Sequence, residues 1–163
     1  MVQNVIMEQV KVPAQVSYLR VLRKFISRIG EKYNFTPNEL YAFKASVDEA
    51  CTNIIEHGYG HKDGSITMKA IVKSESFTIE LVDKGKSFDP SLVAKPNLQS
   101  YVAEGKKGGL GIFIMHKLLD KVDYQISSNG NILRLTKFRQ PVPQQIPTRE
   151  VCTLANKLRK FFS

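Results

Sequence analysis

The 163-residue sequence has few cysteines and no long apolar segment, and each shortage excludes a class of protein. No apolar run reaches the roughly 18 residues that a membrane-spanning helix needs. The two cysteines, Cys51 and Cys152, are far apart in the chain and lack the spacing of a metal site. We therefore expect each of them to be a small apolar residue rather than a metal ligand or half of a disulfide.

The N-terminus also lacks an export signal, in which a basic region precedes an apolar core. This absence and the scarcity of cysteine favour a protein of the reducing cytoplasm. Hydrophobic residues make up 42% of the chain and charged residues 24%, which is ordinary for a globular protein. A chain of this length suits one domain with a buried core.

The formal net charge of +9 is the unusual bulk property of the sequence. It favours anionic partners such as nucleotides, nucleic acid or an acidic protein surface. The basic residues are scattered, however, and form only short pairs such as Lys106-Lys107. They are not interleaved with aromatic residues as in proteins that bind single strands. Nucleic-acid binding is therefore an alternative that charge alone does not establish.

Apolar periodicity and turn residues predict the element order β-α-α-β-β-loop-α-β-β-α. Strands are predicted at 5–12, 65–72, 76–83, 121–128 and 132–138, with Asn129-Gly130 as the turn of the last hairpin. Helices are predicted at 16–29 with Gly30 as the stop, from Thr36-Pro37-Asn38-Glu39 to Gly58, at 110–120 and from Thr148 onward. Residues 84–107 show no sustained period, which is typical of a functional loop.

This order predicts an α+β fold. Strands that are neighbours in sequence form an antiparallel or mixed sheet, and the helices gather on one of its faces, giving a two-layer sandwich. We expect residues 1–140 to form the domain and residues 141–163 to form a linker and an amphipathic helix. The apolar stripe of that extension could dock on the sheet, mediate self-association or bind a partner, and the sequence leaves the three open.

One pair of polar residues on the second helix could carry chemistry. Glu49 and Asn53 are one helical turn apart, on a face away from the apolar stripe. An asparagine there could supply a neutral oxygen ligand for Mg²⁺, and a glutamate could polarise a hydroxyl. The alternative is that both are solvated residues of a helix surface.

Two further segments contain glycine next to charged residues. In Asp83-Lys84-Gly85, after a strand, the carboxylate can accept hydrogen bonds from an exocyclic amine, and the glycine lets backbone approach a flat ring. A plain Asp-x-Gly turn is the alternative. Gly108-Gly109-Leu110-Gly111 opens a helix whose N-terminus can bind phosphate, although it could also be a flexible loop that meets a helix. It matches neither a Walker loop nor a dinucleotide fingerprint.

In this order the three segments resemble the GHKL ATP-binding family, which has the Bergerat fold. Within that family the sequence is most similar to the anti-sigma factor serine kinase branch. The similarity covers about 5–138 and is carried by the strings SVDEACTNIIEHGYG at 46–60, LVDKGKSFDP at 81–90 and KKGGLGIFIMHKLLDKVDY at 107–124.

The resemblance implies ATP and Mg²⁺ as cofactors, with a role for each matching residue. Asn53 would ligate Mg²⁺, and Glu49 would act as general base toward a serine hydroxyl of a partner. Asp83 would receive the adenine amino group, and Gly85 would admit the ring. Residues 90–107 would form the lid. The phosphate side would be formed by Lys107, Gly109, Leu110 and Gly111.

The implied activity is that of an ATP-dependent protein-serine kinase. It would phosphorylate a serine of an anti-sigma factor antagonist and sequester a sigma factor, without contacting nucleic acid or membrane, and relatives often pair as homodimers. One residue departs from the pattern: Ser87 stands where the family commonly has a second glycine. That departure supports an alternative, an ATP-binding regulatory module that binds partners without phosphoryl transfer, whereas the presence of Glu49 argues against it.

Overall fold

A computed structural model describes residues 5–88, 97–104 and 110–139. The strands are β1 (Ile6–Pro13), β2 (Ser65–Lys73), β3 (Ser76–Asp83), β4 (Lys121–Ser127) and β5 (Gly130–Phe138). They form one sheet in the order β1-β2-β3-β5-β4, and each of the four pairings is antiparallel. The helices are α1 (Leu19–Lys32), α2 (Pro37–Asn53), α3 (Leu98–Ala103) and α4 (Gly111–Leu118).

The core lies between one face of the sheet and the helices α1, α2 and α4. Alternate residues of the strands point toward the helices, because successive side chains of a strand face opposite sides. Phe77, Ile79 and Leu81 of β3 are almost fully buried in this way, as is Leu135 of β5. The predicted α+β two-layer fold is confirmed.

Helix α2 begins as the sequence predicts. The Thr36 hydroxyl accepts a hydrogen bond from the Glu39 N–H at 3.2 Å, and the Glu39 carboxylate accepts one from the Thr36 N–H at 2.7 Å. Pro37 occupies the first helical position, where a missing N–H costs nothing. The other end of α2 continues into a π-helical turn, Ile54–Gly58, so the predicted end at Gly58 is also confirmed.

The structure corrects three local predictions. Gly30 does not stop the first helix, which continues to Lys32; a Cβ at Gly30 would lie 2.4 Å from Leu40, so the glycine allows α1 to pack on α2. The turn between β4 and β5 is Ser128-Asn129, one residue earlier than predicted, and Gly130 opens β5 with a φ of 128°. Helix α3 lies in a segment that was predicted to have no regular structure.

Cys51 is fully buried and free, as expected, and burial raises the pKa of its thiol, with Asp48 and Asp83 adding to the effect. Cys152 and the predicted extension 141–163 lie outside the described residues. None of the helices within the described ranges is long and apolar enough to cross a membrane.

Candidate functional site

The Asp83 carboxylate is held at the end of β3. Asp83 pairs with Asn131 of β5 in the sheet, and the two residues are 5% and 2% exposed. Asp83 Oδ1 accepts hydrogen bonds from the Gly85 N–H at 2.8 Å and from Asn131 Nδ2 at 3.0 Å. Within the described residues both side-chain hydrogen bonds of Asp83 end on Oδ1, so Oδ2 is the oxygen available to a further donor.

Asn131 connects Asp83 to the loop that follows β3. Its amide nitrogen also donates to the Gly85 carbonyl at 2.9 Å, and its amide oxygen accepts from the Ser87 hydroxyl at 2.8 Å. Sequence reasoning missed Asn131. The alternation of β5 could have indicated it. Leu133 and Leu135 face the core, so Asn131, two residues before Leu133, lies on the same inner face and is a buried polar residue that needs partners.

Gly85 brings this loop against the end of the π-helical turn. A Cβ at Gly85 would lie 2.7 Å from the carbonyl carbon of Gly58, and the Lys86 N–H donates to the Gly58 carbonyl at 2.7 Å. A Cβ at Gly58, by contrast, would lie 3.8 Å from Asp83 Oδ1. From the sequence, we expected Gly85 to make room for a flat ring. The structure adds a second reason for a glycine, the close approach of its backbone to that of Gly58.

Sequence reasoning also missed Tyr59, which holds the loop after β3 in place. Its hydroxyl accepts a hydrogen bond from the Lys84 N–H at 2.9 Å and donates to the Ser65 carbonyl at 2.9 Å. A Cβ at Gly64 would lie 2.3 Å from the Tyr59 ring, so the glycine makes room for it. Tyr59 thus joins the loop after β3 to the first residue of β2.

Glu49 and Asn53 lie one turn apart on α2, and both are partly buried. Helix α4 packs against α2. A Cβ at Gly111, the first residue of α4, would lie 2.6 Å from Glu49 Oε2, so the carboxylate rests directly against that helix end. Burial raises the pKa of Glu49, and the nearby carboxylates of Asp48 and Glu56 raise it further.

The predicted site residues therefore fall into two contacting groups joined by α2. Asp83 and Gly85 contact the end of the π-helical turn at Gly58, whereas Glu49 contacts Gly111. Asn53 lies between the two groups along the helix axis. The buried Leu110 immediately precedes α4. Lys107, Gly109 and most of the predicted lid 90–107 lie outside the described residues, and the structure describes only 97–104 of that segment, which include α3.

The residues present suit a magnesium nucleotide rather than a metal held by protein alone. In the described part of the chain no three His, Cys, Asp or Glu side chains gather as a metal site. Mg²⁺ in nucleotide sites takes few protein ligands, usually oxygens, and completes its shell with phosphate and water. The amide oxygen of Asn53, one turn from the Glu49 carboxylate, is a neutral oxygen of the kind that could serve as such a ligand.

Residues 12–137 match the family model described as the Histidine kinase-like ATPase domain. The chain belongs to this family. The predicted resemblance to the GHKL proteins is thereby confirmed, and a domain of the histidine kinase-like ATPase family implies the use of ATP.

Relatives of known name lie in the predicted branch of the family. The chain is 32% identical over 138 residues to the serine-protein kinase RsbW of Bacillus pumilus, covering 80% of this chain and 84% of that protein. It is 30% identical over 135 residues to the RsbW of Bacillus subtilis, with the same coverage of both chains. It is also 31% identical over 117 residues to the anti-sigma F factor of Thermoanaerobacter sp., covering 71% of this chain and 82% of that one.

A solved structure has the same fold. The crystal structure of the RsbU and RsbW domains of Rv1364c from Mycobacterium tuberculosis superimposes with a TM-score of 0.60 and 14% identity. The match covers 86% of this chain and 35% of that longer one. At this identity the similarity shows the fold alone.

Proposed function

We propose that the protein is an ATP-dependent protein-serine kinase of the anti-sigma factor type. It phosphorylates a serine of an anti-sigma factor antagonist and sequesters a sigma factor. The observation that carries the proposal is the arrangement along α2, with the Asp83 group at its end and Glu49 against Gly111. This arrangement occurs in a chain that is 32% identical to a serine-protein kinase.

The Asp83 group forms the base-binding end of the site. A carboxylate accepts hydrogen bonds but donates none, so Asp83 Oδ2 selects a base that carries an exocyclic amine. The two donors on Oδ1 hold the carboxylate still, which lowers the conformational entropy that a ligand must remove on binding. Adenine fits this requirement.

The phosphate end of the site lies at the start of α4. The free N–H groups and the dipole of a helix N-terminus attract phosphate, and Leu110 and Gly111 stand at that position. Gly109 and Lys107, which precede Leu110 in the sequence and lie outside the described residues, are assigned to phosphate binding from the sequence motif alone. Asn53 would supply a protein oxygen to Mg²⁺, and the metal, when bound, would neutralise phosphate charge.

Glu49 is the proposed general base. It accepts the proton of the substrate serine hydroxyl while the serine oxygen forms a bond to the γ-phosphorus and the bond to ADP breaks. Positioning and charge neutralisation carry most of a phosphoryl transfer, so one base is sufficient. The raised pKa of Glu49 increases its affinity for the proton it must take.

The partners and setting follow from the same assignment. The protein substrate is a serine-bearing antagonist, the sequestered protein is a sigma factor, and the reaction takes place in the cytoplasm, with two copies of the kinase pairing. Residues 1–140 carry the site, and residues 141–163 form an extension. Ser87, which favoured a module without transfer, makes a hydrogen bond inside the site.

A phosphoryl-transfer assay tests the proposal. The antagonist is captured from lysate with and without Mg·ATP, and transfer of labelled γ-phosphate to it is then followed. The antagonist with its serine replaced by alanine serves as the blank. Glu49→Gln should bind ATP as the wild type does but lose about 100-fold or more in transfer rate, the usual contribution of a general base. Glu31→Gln, which changes an exposed glutamate of α1 that does not affect the pKa of Glu49, is the matched control.

Two results would contradict the assignment. An unimpaired rate for Glu49→Gln would remove Glu49 as the base. Wild-type protein that binds both ATP and the antagonist but transfers no phosphate would identify a binding module instead of a kinase.

A further inference from the structure

We propose that Ser87 and Asn131 act together as positioning residues for the Asp83 carboxylate and set the preference of the site for a base with an exocyclic amine. The inference rests on the proposed function, because it takes Asp83 as the residue that binds adenine. Its evidence is a chain of hydrogen bonds from the Ser87 hydroxyl through the Asn131 amide to Asp83 Oδ1.

The orientation of the Asn131 amide is determined by its neighbours. Asp83 Oδ1 and the Gly85 carbonyl both accept hydrogen bonds, so the amide group that faces them must be the donating nitrogen. The amide oxygen then faces the Ser87 hydroxyl, which can donate. A reversed amide would place an oxygen against two acceptors and lose both of those bonds, and only the bond to the Ser87 hydroxyl, which can also accept, could form again.

The fixed amide in turn fixes the carboxylate. The terminal torsion of an aspartate is broad, so an unrestrained carboxylate exchanges its two oxygens easily. In this protein the Gly85 N–H and Asn131 Nδ2 both donate to Oδ1, at 2.8 Å and 3.0 Å. A partial turn of the carboxylate would break both bonds, and a half-turn only exchanges two equivalent oxygens, so the oxygen that accepts neither bond keeps one direction, toward the proposed base.

The hydrogen bond of Ser87 explains why a serine can stand where the family commonly has a glycine. Asn131 is only 2% exposed, and an amide oxygen at such a site needs a donor. The Ser87 hydroxyl is that donor, whereas a glycine at position 87 would supply none from its side chain. Ser87 is otherwise exposed, so Ser87→Ala removes the donor without leaving a cavity in the hydrophobic core.

Two nucleotides and substitutions at two positions, Ser87 and Asn131, test the inference. Binding of ATP and of purine riboside triphosphate, which lacks the exocyclic amine, is measured by calorimetry without any protein partner. In Ser87→Ala we expect ATP to bind about 3- to 10-fold more weakly, the loss that one hydrogen bond explains, whereas the affinity for the analogue should not change. Ser87→Thr keeps a hydroxyl and should restore the preference for ATP.

A second substitution removes the donor on Asp83 directly. Asn131→Asp places a carboxylate against Asp83 Oδ1 and the Gly85 carbonyl, so the preference for ATP over the analogue should disappear. Thermal unfolding of each variant shows that it is folded.

Two outcomes would contradict the positioning role, and a third would contradict the proposed adenine site. Equal weakening of both nucleotides in Ser87→Ala, or no weakening of either, would overturn the positioning role. If the wild type binds the two nucleotides equally and Asp83→Asn leaves ATP affinity unchanged, then Asp83 does not bind the base and the proposed adenine site itself fails.

Discussion

At the scale of single residues, a substitution of Asn53 tests whether the site binds Mg²⁺, without any measurement of phosphoryl transfer. Its side chain is half-buried on a flank of α2, so truncation should not open a cavity in the core. We expect Asn53→Ala to stay folded but to lose about tenfold or more in affinity for Mg·ATP, because the metal would lose a protein oxygen. Affinity for ATP in the presence of a chelator should not change, as calorimetry with and without Mg²⁺ can show.

Asn38→Ala is the matched control for this experiment. It removes an exposed asparagine from the other end of the same helix, about 20 Å away by the rise of an α-helix. An unchanged Mg·ATP affinity in Asn53→Ala would show that Asn53 is not a metal ligand.

The raised pKa of Glu49 has a consequence for stability. A carboxyl whose pKa is higher in the folded than in the unfolded protein favours folding in its protonated form, and this contribution is lost as the pH rises through the folded pKa. We therefore expect Glu49→Gln to gain stability relative to the wild type as the pH rises above 4.5, the ordinary value. Below that pH the two proteins should be similar.

Denaturant unfolding at a series of pH values measures this difference. Asn38→Ala replaces a side chain that does not titrate, so its difference from the wild type should stay constant with pH. A constant difference for Glu49→Gln as well would show that the pKa of Glu49 is not raised by the fold.

At the scale of elements, two glycines that touch one another are predicted to respond differently to the same change. Gly85→Ala would place a Cβ 2.7 Å from backbone of Gly58, and backbone cannot yield as a side chain can. We expect a loss of about 1–3 kcal/mol in the free energy of unfolding, the usual cost of overpacking, together with weaker ATP binding. Gly58→Ala meets nothing closer than 3.8 Å and should leave the stability nearly unchanged.

Thermal and denaturant unfolding of the two variants provide the comparison. Equal losses from Gly85→Ala and Gly58→Ala would contradict the close approach of the two backbones. If Gly85→Ala is as stable as the wild type but binds ATP less tightly, then Gly85 is needed to admit the adenine base and not to pack against Gly58.

The same elements show what the sequence could and could not predict. The start of α2 was predictable because a capping box and a proline are local signals that need no tertiary partner. Gly30 was misread because its reason for being glycine, contact with Leu40 of the next helix, is not local. Helix α3 is one and a half turns long, too short to show a period.

The site residues also differ in whether local sequence is enough to predict them. Asp83, Gly85 and Glu49 stand in recognisable strings, so they could be named from sequence. Asn131 is separated from Asp83 by 48 positions, and only the pairing of β3 with β5 brings the two together. A contact that depends on strand register cannot be read from one segment of sequence.

At the scale of the whole molecule, the net charge of +9 predicts an attraction to polyanions that weakens as salt is added. Several basic side chains are already paired with acids. Glu8 pairs with both Arg28 and Lys32, and Glu80 with both Lys69 and Arg134. The Lys32 ammonium holds the pKa of Glu8 below its usual value, so this pair stays charged to lower pH.

We therefore expect no measurable binding to random duplex DNA at about 0.15 M ionic strength, where exposed charges are strongly screened. Fluorescence anisotropy of a labelled duplex, titrated from low to physiological salt, measures it. Any binding at low salt should fall steeply as salt is added. Persistent binding at physiological salt would support nucleic acid as a partner.

The strand order β1-β2-β3-β5-β4 has a further consequence for how the length of such a chain can change. The end of β3 and the start of β5 are hydrogen-bonded neighbours, yet everything from position 84 to position 129 is inserted between them. Closing a loop of twice the length costs only about 0.6 kcal/mol more, provided that its ends stay anchored. Insertions and deletions between β3 and the start of α4 can therefore accumulate over evolutionary time without shifting the register of the sheet.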